Sequence, residues 1–117
     1  MGGSAWIWMP HTAHLCVADR CQFRLATYVN GVIVSTVGEY SLPYTREMPW
    51  QEIGRNRLYE TLVFKAVPTT PDECTACPYK IDVAHSEIDG EGYNTAGAAY
   101  AGHLAMCRKW ESPPCPS

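Results

Sequence analysis

At 117 residues, with 46% hydrophobic and 18% charged side chains, the chain has the composition of a single folded domain and not of a disordered one. Its net charge of −3 is unevenly placed: residues 71–117 carry three Lys/Arg against seven Asp/Glu, whereas residues 1–70 carry six against five. That acidic second half argues against a general phosphate-backbone binder, and no stretch approaches the ~20 apolar residues of a membrane helix.

The first residues, MGGSAWIWMPHTAH, have neither the basic start nor the sustained apolar run of a signal peptide. The expected location is therefore a reducing cytoplasm. There, six cysteines read as metal ligands or buried thiols before they read as a disulfide frame.

In chain order, the strongest local signal is CQFRLATYVNGVIVSTVGEY (21–40). Asn30-Gly31 is the dipeptide of a type I′ turn, since both central residues must tolerate positive φ. A two-residue loop sets Val29 opposite Val32, Thr27 opposite Val34 and Leu25 opposite Thr36. The hairpin is expected over 22–39, and neither of its faces is strongly polar, which places it centrally or under cover on both sides. SLPYTREMPWQEIGRN (41–56) has two prolines and no clean period and reads as a loop. RLYETLVFKAV (57–67) alternates as a third strand, with Leu62, Phe64 and Ala66 opposite in sense to Tyr59, Thr61 and Val63.

After the turn-rich PTTPDECTACP, YKIDVAHS offers a short strand. Asn94-Thr95 then supplies an N-cap for a helix over about 96–110. At about 100° per residue, Ala96, Ala99, Tyr100, His103, Met106, Cys107 and Trp110 share its inward face. SPPCPS closes the chain as a flexible, proline-rich tail over 112–117 that cannot be helical. The expected fold is α+β: one domain over 1–117, a small antiparallel sheet with one C-terminal helix packed on it.

Four residues have the pattern of a structural zinc site. Cys74-x₂-Cys77 is the spacing of a tight thiolate knuckle, and His103-x₃-Cys107 sets two further ligands one helical turn apart. Together they would make a closed Cys₃His tetrahedron around a structural Zn²⁺, with His85 as a substitute ligand. A second group, His11, His14, Cys16 and Cys21, could hold another ion or a Cys16–Cys21 pair. It straddles the expected start of a strand, where successive side chains alternate faces. Without a metal, Cys107 is a small core hydrophobe and His103 a hydrogen-bonded core histidine.

Most catalytic signatures fail. A deaminase needs H-x-E before P-C-x-x-C, whereas here His85-Ser86-Glu87 follows Cys74-x₂-Cys77. EIDGEGYN spaces its acids like a calcium loop but lacks the acid at the twelfth place. There is no glycine-rich phosphate cradle and no G-x-S-x-G elbow. Trp6, Trp8, Tyr40, Tyr44 and Trp50 fall in segments flanking the expected sheet. Loop aromatics of this kind form stacking pockets or protein contact patches.

Three segments, YVNGVIVSTVGEY (28–40), GRNRLYETLVFKA (54–66) and YNTAGAAYAGHLAMCRKW (93–110), resemble a set of small uncharacterised proteins encoded by bacteriophages and prophages. They cover about two-fifths of the chain. The resemblance implies phage origin and action in the host cytoplasm, but no activity and no catalytic residue. Proteins of that set often carry a longer stretch between the hairpin and the YET strand, where this chain has only residues 41–56, which puts any role carried by that insertion in doubt here.

The expectation is a zinc-stabilised phage accessory protein that binds a host protein or small ligand, in counter-defence or host takeover, with self-association left open. One alternative makes the metal catalytic, in a hydrolase-like or deaminase-like enzyme with Glu87 or Asp89 as base. Another makes the chain a nucleic-acid-binding module using Arg20, Arg24, Arg55 and Arg57.

Overall fold

Asn30 and Gly31 hold φ values of 48° and 88°, the left-handed pair that a type I′ turn demands. They fold β2 (Cys21–Val29) back onto β3 (Val32–Tyr40). The computed structural model describes residues 6–9, 21–40, 57–70 and 77–111. The hairpin register is the one the turn dictates: Val29 pairs with Val32, Thr27 with Val34 and Leu25 with Thr36.

Around this hairpin stand β1 (Ile7–Trp8), β4 (Tyr59–Pro68), β5 (Tyr79–Ile81) and β6 (Asp89–Tyr93), followed by α1 (Ala96–Glu111). The sheet runs β1-β2-β3-β4-β5, every described pairing is antiparallel, and β6 pairs with the first half of β4. The fold is the α+β arrangement expected, with two further strands, β1 and β6, in segments whose sequence reads as loop.

Strand alternation divides the core. Val29, Val32, Val34 and Val63 face α1 and pack against Met106, Cys107 and Trp110. On the other face Ala26 and Ile33 pack with Met9, Cys77 and Ile81. A sheet covered on both sides explains why neither face of the hairpin is polar.

Two glycines let aromatic rings close onto backbone. At Gly38 a Cβ would run into the Tyr59 ring, and at Gly102 into the Tyr93 ring. Tyr59 pairs across the strands with Gly38, meets Phe23 edge-on at 5.2 Å between centroids, and donates its hydroxyl to Glu39 at 2.8 Å. Burial, and then the Glu39 carboxylate, push the Tyr59 phenol up to about 12.

The helix begins where its cap requires. Thr95 Oγ1 accepts from the Ala98 amide at 3.1 Å, and the Thr95 carbonyl takes the Ala99 amide at 3.0 Å. Its far end is tied to the hairpin turn: Asn30 Nδ2 donates to the Trp110 carbonyl at 3.2 Å, satisfying one of the last carbonyls of the helix. Ala99, His103, Met106 and Cys107 are buried as the periodicity implies, but Tyr100 is 56% exposed. It sits at the flank of the inward stripe, beside the edge where β1 adds only two residues to β2.

Candidate functional site

His103 lies at the centre of the helix–sheet interface, 2% exposed. Its Nε2 meets Thr27 Oγ1 at 2.9 Å and its Nδ1 meets Thr36 Oγ1 at 2.7 Å. Thr36 Oγ1 in turn meets Thr61 Oγ1 at 2.5 Å. The series extends at both ends, because Thr61 hydrogen-bonds Tyr93 and Thr27 hydrogen-bonds the Cys107 thiol. One imidazole and three threonine hydroxyls therefore join β6, β4, β3, α1 and β2 through a single buried line of polar groups.

A neutral imidazole has one N–H donor and one lone-pair acceptor, and each hydroxyl can donate once while accepting. The line can therefore be satisfied from end to end with its hydrogen bonds running in either direction. Charge is what it cannot accommodate cheaply. Burial pushes His103 down to about 4 and Cys107 up to about 11, so both are neutral at pH 7.

Among the described residues, the expected zinc ligands are not brought together. His103 and Cys107 lie under α1, whereas Cys77 is 1% exposed in the core on the opposite face of the sheet. The sheet stands between ligands that a tetrahedral ion would hold a few ångströms apart. Both His103 nitrogens already have hydroxyl partners. Cys74 lies outside the described residues, and the described residues hold no group of three or more His, Cys, Asp or Glu able to share an ion. His85, the substitute ligand, is in an exposed turn beside Asp82 at 3.5 Å. His11, His14 and Cys16 of the second cluster lie outside the described residues, and Cys21 begins β2.

Of the acids spaced like a calcium loop, Asp89 and Glu91 lie in β6 and Glu87 precedes it. Burial opposes ionisation of Asp89, but hydrogen bonds from Lys109 (2.6 Å), Trp110 Nε1 (3.0 Å) and the Gly90 amide (2.8 Å) outweigh it and hold the carboxyl below its ordinary value. Asp89 thus latches β6 to the last turns of α1. Of the four arginines considered for nucleic acid, Arg24 and Arg57 are exposed, and Arg20 and Arg55 lie outside the described residues.

The aromatic expectation divides more usefully. Tyr44 and Trp50 lie outside the described residues, and Tyr40 ends β3. Trp6 and Trp8, however, come together. Trp8 pairs with Thr27, so strand alternation turns both indoles toward the face on which α1 packs. They border a cleft of about 240 Å³ whose other lining side chains are Leu25, Thr27, Tyr100, His103 and Leu104. Trp8 is 54% and Trp6 36% exposed, and Trp6 Nε1 donates to Glu111 Oε1 at 2.6 Å.

The sequence reading missed the three threonines and the rim position of Tyr100. The available signal was polar residues at inward strand positions: Thr27, Thr36 and Thr61 stand in the alternation where valines otherwise stand. Comparison with family models, with characterised proteins and with solved structures found no match.

Proposed function

We propose that this chain works by binding, and that its site is the cleft between β1 and α1, where a small group is held among Trp6, Trp8 and Tyr100. The setting proposed is that suggested by the phage resemblance: an accessory protein engaging a component of the host. One observation carries the reading. Three large aromatic side chains converge on one cleft and stay substantially exposed, although aromatic burial is among the larger gains available to a small domain. Ligand clefts have this composition, apolar and aromatic with few polar groups.

Binding is favoured over catalysis by the state of the nearest reactive groups. His103 is neutral with both nitrogens occupied, and Cys107 is held as a thiol, the form that does not act as nucleophile. Neither is set up to move protons for a substrate near pH 7.

The test is tryptophan fluorescence and ligand-observed NMR with a panel of small apolar, planar and cationic probes. Saturable binding by at least one probe, lost in both Trp8→Ala and Tyr100→Ala while their melting temperatures stay near that of the parent, is the expected result. Binding that survives both substitutions, or no saturable probe at all, would overturn the assignment.

A further inference from the structure

Resting on the cleft being a binding site, we infer that it recognises an organic cation, specifically the trimethylammonium type of head group. Three features select that chemistry. First, three aromatic rings line the cleft from its two sides: Trp8 from β1 with Trp6 just ahead of it, and Tyr100 from α1. The faces of aromatic rings carry negative potential, and quaternary ammonium groups are held by such rings without hydrogen bonds.

Second, the polar groups at the floor are already engaged. Thr27 and His103 bond each other, and His103 also bonds Thr36. A ligand that needs the directional groups of Thr27 or His103 finds them bonded to each other and to Thr36, whereas a methylated ammonium, which has no N–H to satisfy, needs none.

Third, the local charge has the right sign. Glu111, on the same helix stripe as Tyr100 and Leu104, does not itself line the cleft, but its carboxylate accepts from the indole N–H of Trp6, which does. No Lys or Arg is among the described residues lining the cleft, and Arg108, the nearest helix cation in sequence, is exposed to solvent. A cleft of about 240 Å³ admits a compact head group but not a large fused-ring system.

An anion would meet repulsion from Glu111 and from the ring faces. A neutral apolar group of the same shape would gain the contact area but not the electrostatic attraction. That difference makes the inference testable.

The experiment is titration of the intact chain with choline, with its neutral carbon isostere 3,3-dimethyl-1-butanol, and with Nε-trimethyllysine amide, read by tryptophan fluorescence and calorimetry. Saturable binding of choline or trimethyllysine about tenfold or more tighter than the isostere supports the inference. The tighter of these two ligands identifies whether a free amine or a methylated side chain is the source. Glu111→Gln should weaken the cation a few-fold and leave the isostere unchanged, and Trp8→Ala should remove both.

Equal binding of cation and isostere overturns the cation inference while leaving the cleft as an apolar binding site. Failure of all three ligands, together with failure of the planar probes, overturns the binding assignment with it. Circular dichroism of each variant separates loss of the site from loss of the fold.

Discussion

The two faces of the sheet hold two different kinds of core. The outer one, with Met9, Ala26, Ile33, Cys77 and Ile81, is packed apolar surface with half-buried rings around it, including Tyr28 stacked on Tyr79 at 3.8 Å. The one under α1 combines valines with a line of hydroxyls and one imidazole that runs through the whole interface. Apolar packing tolerates sliding and volume-conserving exchange. A fully satisfied polar line does not, because displacement by a fraction of a hydrogen-bond length leaves buried groups unpaired. The helix-side core therefore fixes where α1 sits on the sheet, and with it the position of Tyr100 opposite Trp6 and Trp8.

The sharpest way to break this contrast is to remove the imidazole. His103→Ala leaves a cavity and takes a partner from both Thr27 and Thr36, so urea unfolding should show a loss of about 4 kcal/mol. If the loss stays below about 1 kcal/mol, the polar line is not holding the interface.

Acid should reach the same core without mutation. His103 is held down to about 4 in the fold, against 6.5 for the unfolded chain. Between those values the unfolded state binds the extra proton, so stability is full above about pH 6.5 and declines as pH falls through the window. The decline flattens near pH 4 at roughly 3 kcal/mol from this group. Denaturant midpoints across pH 4–7 measure it, and His103→Leu should flatten that part of the profile.

The opposite face should respond more mildly. Cys77→Ala removes one buried sulfur with no polar partner to orphan among the described residues, for an expected cost of about 1.5 kcal/mol by the same unfolding measurement. A cost comparable to that of His103→Ala would mean that Cys77 does more than fill space.

The smallest effect tests the hairpin on which both faces depend. Gly31→Ala places a Cβ at a φ of 88°, where there is open space but an unfavourable backbone, and should cost about 1 kcal/mol. Thermal melts of Gly31→Ala and of Gly31→Asn, which keeps a residue tolerant of positive φ, should rank the parent first, asparagine second and alanine last.

The legible parts of this molecule were those encoded locally. Asn30-Gly31 fixes a register by itself, and Thr95 caps a helix whose apolar residues recur at helical spacing. β1 and β6 were not legible for physical reasons. Two residues are too few to show a period, and DGEGY has the glycines and acids of a loop. β6 becomes a strand because β4 offers an unpaired edge, Tyr93 closes over Gly102, and Asp89 is held by Lys109 and Trp110.

The zinc expectation shows the limit most clearly. Cys-x₂-Cys and His-x₃-Cys are each sound local spacings, but whether the two halves meet depends on which side of a sheet each falls. Cys77 falls on the side away from His103 and Cys107. The reading of Trp6 and Trp8 as binding residues rested on their being aromatic and outside the regular elements. The structure puts Trp8 in β1 and Trp6 just ahead of it, two residues away along the chain, so that both rings border the same cleft.

The central claim is that His103 is a neutral strut of the core, bonded through both nitrogens. The direct measurement is the ¹⁵N chemical shifts of its imidazole, followed from pH 7.5 to pH 4 and again with one equivalent of Zn²⁺ at pH 7. A single neutral ring that does not begin to protonate until well below pH 6, and that zinc leaves unmoved, is the expected result. Titration near pH 6.5, or a zinc-induced shift of either nitrogen into the metal-bound range, would contradict it.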